Sequence, residues 1–150
     1  MKRFRFPLRP VAILRSHREA RAREAFSAAA HAYLLTDQAL AATRIRVAQF
    51  EAALAAGRSG RFSAAAAASS LVVHRRECAA EAEAERAVVL ARAEMQARRA
   101  DYLDAHRKLE VVTRLEEKAR GSHRVALNRE EQAEFDDFAG RRGRSTPGLT

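Results

Sequence analysis

Residues 63–139 read SAAAAASSLVVHRRECAAEAEAERAVVLARAEMQARRADYLDAHRKLEVVTRLEEKARGSHRVALNREEQAEFDDFA, without one proline and with a single glycine, Gly121. Ala, Arg, Glu and Leu dominate, which are the residues that lose least on entering a helix. A second stretch of the same kind, roughly Val11 to Ala56, precedes it, and only Gly57-Arg58-Ser59-Gly60-Arg61-Phe62 lies between. Two long helices with one tight break predict an all-α fold, a long antiparallel two-helix coiled-coil hairpin. Pro7 and Pro10 fit a helix start rather than its interior, because the first turn has no use for their missing N–H.

The predicted organisation is therefore a basic, aromatic N-terminal arm over residues 1–9 and a hairpin over 10–139. The hairpin divides into a helix over 10–56, a turn over 57–62 and a helix over 63–139. A disordered basic tail is expected over 140–150. A 3-4 spacing selects Phe26, Ala29, Tyr33, Thr36, Leu40, Thr43, Val47, Phe50 and Leu54 in the first helix, seven of nine apolar. In the second it selects Val88, Ala91, Met95, Arg98, Tyr102, Ala105, Leu109, Val112, Glu116 and Ala119, with Arg98 and Glu116 the exceptions. Acid-to-base pairs at i,i+4 (Glu94/Arg98, Asp104/Lys108, Glu110/Arg114, Glu116/Arg120) support the second helix by about 0.2–0.5 kcal/mol each. Since that helix is much the longer, its C-terminal third, from about Leu109, is expected to overshoot the start of its partner. Gly121-Ser122 is a place for a kink or fraying.

Hydrophobic residues make up 47% of the 150, but Ala supplies about half of them, so the seam should be thin. The net charge is +9, and its distribution says more than its total. Residues 1–25 carry eight bases and two acids, residues 61–140 fourteen bases and fifteen acids. The excess at the ends suits anionic partners. Cys78 is the single cysteine, which excludes an intramolecular disulfide and points to a reducing compartment, the cytoplasm by default. No apolar run approaches the ~20 residues of a membrane span.

A rod offers no concave pocket, and an enzyme is not expected. Gly57-Arg58-Ser59-Gly60 lacks the Lys and flanking strand of a P-loop. The five His (17, 31, 74, 106, 123) are scattered, with no pair at i,i+4 and no Cys expected nearby, so neither metal nor other cofactor is expected. Two end segments invite contact instead. Lys2-Arg3-Phe4-Arg5-Phe6 interleaves bases and aromatics, as a membrane or nucleic-acid hook does; its alternative is a strap packed on the protein's own overhanging helix. The run Glu130 to Phe138 holds five acids and no base, and acids near a helix C-terminus oppose the macrodipole, which suggests a basic receiver.

The pattern Phe4-x-Phe6-x-Leu8-x-x-Val11-x-x-Leu14 ahead of an Ala/Glu/Arg-rich helix resembles the start of FliJ proteins of the bacterial flagellar export apparatus. Arg129-x-Glu131-Gln132-x-x-x-Asp136-Asp137-x-Ala139 is similar to that family's end signature. The Ala-rich Ala64–Ala68, and Glu130 and Phe138 around the end signature, depart from it. YscO-type injectisome stalk proteins share the architecture. The resemblance implies a cytoplasmic stalk, peripheral at the inner face of the membrane, whose paired ends enter a hexameric export ATPase and promote its assembly and activity. It implies Phe4, Phe6, Leu8, Arg129, Glu131, Gln132, Asp136 and Asp137 as ATPase contacts. For the export-gate membrane protein and the export chaperones it implies Tyr33, Leu40 and Leu71. Membrane association would come only through partners. A basic coiled-coil nucleic-acid binder is the alternative from another class, against which stands the lack of any helix-turn-helix, finger or aromatic platform.

Overall fold

The computed structural model describes residues 3–57 and 63–143, with the side chains of 141–143 left aside. Two helices, α1 (Arg9–Gly57, 49 residues) and α2 (Ala64–Gly143, 80 residues), form an antiparallel hairpin, and the described residues include no strand. Pro10 sits in the first turn of α1, where Arg9 N donates to Phe6 O (3.2 Å) and Ala12 N to Leu8 O (2.9 Å). Ser63 caps α2: its Oγ accepts from Ala66 N at 3.2 Å, and its carbonyl accepts from Ala67 N at 3.0 Å. Much of the predicted turn, residues 58–62, lies outside the described residues.

The hairpin divides into two compact units, a central one over Glu19–Ala105 and a terminal one joining Met1–Arg18 to His106–Thr150. In the central unit all nine α1 positions selected by the 3-4 spacing are buried or half-buried. Leu40 and Val47, each 7% exposed, are its tightest apolar points. Phe26 stacks on Tyr102 with ring centroids 6.1 Å apart, and Phe50 on His74 at 6.2 Å. The buried Thr43 hydroxyl donates to Ala39 O (2.9 Å) and accepts from Arg46, so no seam hydroxyl is left dry there. Arg44 reaches Glu85 (2.7 Å) and Glu81 (3.3 Å), and Glu51 reaches His74 (3.0 Å). The Glu85 hydrogen bond, outweighing desolvation and joined by Glu81, raises the Arg44 pKa above its already high value, so the guanidinium at this crossing stays charged.

The same 3-4 spacing continues toward the turn on α2 through Ala84, Glu81, Glu77, His74, Ser70 and Ala67, all half-buried. Polar side chains at these places concealed the pattern in the sequence. Arg98 departs from the predicted seam. It stays exposed, and its guanidinium turns to Glu94 (2.8 Å) and Asp101 (3.4 Å), as a long charged side chain does when its stem alone covers apolar surface. The Glu110–Arg114 and Glu116–Arg120 pairs form at 2.5 and 2.6 Å.

In the terminal unit the seam runs on through Leu109, Val112 (7% exposed), Glu116 and Ala119. Arg9, Ala12, Ile13 and Ser16 line one groove with Leu109, Glu116 and Arg120. The expected overhang from Leu109 is thus displaced toward the C-terminus: α2 is still paired there. The sequence reading mirrored the helices about residues 57–62, but the actual register sets the start of α1 beside residues near Arg120. Helix α2 also continues to Gly143, past the predicted end at Ala139 and into the predicted tail; the rest of that tail lies outside the described residues.

Neither kink nor fray interrupts the helix assignment at Gly121, and a Cβ built there meets nothing within 4 Å. Gly121→Ala is therefore expected to stabilise the chain by about 0.5–1 kcal/mol. Thermal unfolding followed by circular dichroism should show a Tm rise of about 1–4 °C. A fall in Tm would mean that the glycine serves a bend or a close approach.

Candidate docking site

The site is built in the terminal unit, from the arm packed on α2 at Arg120–Leu127 and from the turns of α2 beyond it. The arm is not free. Phe4 and Phe6 are half-buried, whereas Leu8 is exposed. The Phe4 ring lies 5.5 Å from the His123 ring, tilted by 44°, with the Arg120 guanidinium 5.8 Å from its centroid. Arg124 and Leu127 complete this contact surface. Phe4 is the strap of the two sequence readings: an apolar ring covers α2 where α1 has ended, and a cation over its face adds about 0.5–1 kcal/mol.

Past Leu127 the helix changes character. Every residue from Asn128 to Gly140 is exposed, so α2 here has no buried stripe of its own. At 100° per residue the side chains sort into two rows. Arg129, Gln132 and Asp136 share one row with Val125, Asn128 and Ala133. Glu131 shares the other with Glu134, Phe135 and Phe138. Asp137 belongs to neither. The end signature therefore presents two surfaces, one polar and mixed in charge, the other acidic and aromatic.

Phe135 is 72% exposed, a large ring held in water among carboxylates. The macrodipole argument weakens, however. Because α2 runs to Gly143, Asp137 lies six residues inside its end, beyond the last turn in which the dipole acts. What remains unusual is the exposed aromatic within the acidic run.

In the central unit, Tyr33 is half-buried in the seam, and its carbonyl accepts from the Thr36 hydroxyl (2.8 Å). Leu40, expected to contact the gate or chaperones, is a seam residue that the closed hairpin withholds from any partner. Leu71 is exposed. The expectation that no cysteine lies near a histidine is wrong at His74, where a cluster forms because i and i+4 share one helix face. Cys78 lies one turn on, with Sγ 3.6 Å from His74 Nε2, and Glu51 and Phe50 close the group. Among the described residues no three His, Cys, Asp or Glu side chains are grouped so as to hold a metal ion. No described helix is long and apolar enough to cross a membrane.

Compared with known proteins, the chain matches the family model described as "Flagellar FliJ protein" over residues 4–147. No curated protein and no solved structure matches it.

Proposed function

Since the chain belongs to the flagellar FliJ protein family, and so is a component of flagellar protein export, we propose that it is the non-enzymatic stalk of the export ATPase. The end made by the arm and the last turns of α2 enters the ATPase hexamer, promotes its assembly and raises its activity. Other surfaces link it to the export-gate membrane protein and the export chaperones. The protein works in the cytoplasm, held at the inner face of the membrane by these partners.

The observation that carries this reading is the run Asn128–Gly140. It stays helical and wholly exposed after the hairpin seam has ended, with Phe135 standing among five carboxylates. A charged tip with exposed aromatic anchors, Phe135 foremost, suits a narrow, basic, apolar-walled opening. Charge would steer the encounter and the ring would supply the lasting contact.

Neutralising Glu130, Glu131, Glu134, Asp136 and Asp137 to Gln or Asn should weaken binding to the ATPase about tenfold or more at low salt. It should also flatten the salt dependence. Fluorescence titration at two ionic strengths measures both. Wild-type affinity and salt slope in the neutralised chain would remove the acidic end from the docking surface.

A further inference from the structure

The central unit hides two large aliphatic residues, Leu40 and Val47, and exposes several others. Two of them, Leu35 and Leu90, stand on one side, whereas Leu34, Ile45 and Val89 lie off it. On α1, Glu24, Ala28, Ala32, Leu35, Ala39, Ala42 and Arg46 fall on one face, and between Glu24 and Arg46 that face carries no charge. On α2, Leu90 lies on a face with Arg86, Ala87, Glu94 and Ala97. Both faces flank one side of the hairpin, the side on which Arg46, Gln49 and Val73 share a groove. Leu35 is 53% exposed and Leu90 71%.

We propose that this side docks a second copy of the same chain, as a two-fold pair with α1 antiparallel to α1 across the interface. The argument is self-complementarity, which an isologous contact requires. Glu24 and Arg46 each lie eleven residues, three helical turns, from Leu35, in opposite directions. A two-fold axis through Leu35, perpendicular to the helices, sets the Glu24 of each copy opposite the Arg46 of the other.

The axis treats α2 the same way. Leu35 stands midway between Phe26, which stacks on Tyr102, and Arg44, which meets Glu81 and Glu85. The axis therefore passes within about one turn of Leu90. Arg86 and Glu94 lie four residues to either side of Leu90, so they too come into opposition, Glu94 keeping Arg98 of its own chain as a second partner. Glu83 and Asp101 meet no opposite partner on this side; they face Ala97 and Ala79 of the second copy. The alanines let the helices approach closely.

The paired surface is about 33 Å long and two helices wide, on the order of 600–700 Å² from each copy, near the ~800 Å² of a standard interface. Twelve bases against eleven acids leave Glu19–Ala105 nearly neutral, so no net repulsion opposes the pairing. This inference does not depend on the ATPase reading.

Sedimentation equilibrium of the full chain from about 5 µM to 1 mM tests it, spanning the affinities expected of such an area. A reversible monomer–dimer equilibrium is expected. Leu35→Glu should weaken dimerisation about tenfold or more, while Ile45→Glu, at an exposed position off this face, should not. Arg86→Glu should weaken it and Arg86→Glu with Glu94→Arg should restore it, because the reversed pair again brings opposite charges together. A chain monomeric throughout would overturn the proposal and leave the face to a different protein. Dimers indifferent to Leu35→Glu, or no recovery in the double reversal, would also overturn it.

Discussion

Leu40→Asp is expected to destabilise the hairpin by about 3–5 kcal/mol, the largest loss from any single side chain. The seam of the central unit has few large apolar side chains, and Leu40 is among the most buried. Its replacement removes that burial and places a carboxylate inside the closed seam. Domains carry only about 5–15 kcal/mol in total, so the substitution consumes much of the stability. At about 2–4 °C per kcal/mol, Tm should fall by roughly 6–20 °C. Ile45→Asp, on the exposed outer side of α1, should cost within about 0.5 kcal/mol beyond its helix-propensity effect. Equal melting of the two variants would mean that the hairpin is not held by this seam.

Truncation after Asn128 should have the opposite profile: little change in folding and loss of docking. Among the described residues removed, 129–140, none is buried, so the helix beneath keeps its packing. The Phe4 strap, which rests on Arg120, His123, Arg124 and Leu127, keeps its support. Tm should therefore move by less than about 2 °C, the scale of a surface change. Affinity for the export ATPase should fall by about a hundredfold or more, since both the acidic charge and the Phe135 anchor are gone. Removing residues 1–8 should weaken docking and also lower Tm, because Phe4 and Phe6 leave half-buried positions. The contrast between the two truncations separates a docking surface from a structural strap. Undiminished binding by both would contradict the proposed role of this end.

Periodicity made the seam legible because a 3-4 repeat of Phe, Tyr, Leu and Val in α1 has no other stable use. Where polar residues hold seam positions, as at Glu19, His74 and Glu77, the pattern faded although the helix still buries them at least in part. Register was harder to read. It depends on how many residues the turn consumes and on where each helix begins, and no local pattern states either. Hence Leu109 appeared to overhang when it is paired.

The docking end was legible as composition, the acidic run from Glu130, but its sorting into two rows needed α2 to remain helical to Gly143. Leu40, expected to meet an outside partner, is buried in the closed hairpin for a simple reason. A residue on the 3-4 repeat is spent on the seam, while the neighbouring Leu34 and Leu35 face outward and remain available.

The central claim is that this chain acts on the export ATPase through its exposed helical end. The most direct measurement is a titration of the full chain into that ATPase, following ATP hydrolysis and ring formation together, beside the chain truncated after Asn128. The stalk account predicts that both signals rise and saturate near one chain per hexamer, and that the truncated chain raises neither. Unchanged hydrolysis and ring formation with the full chain, or equal stimulation by the truncated one, would contradict it.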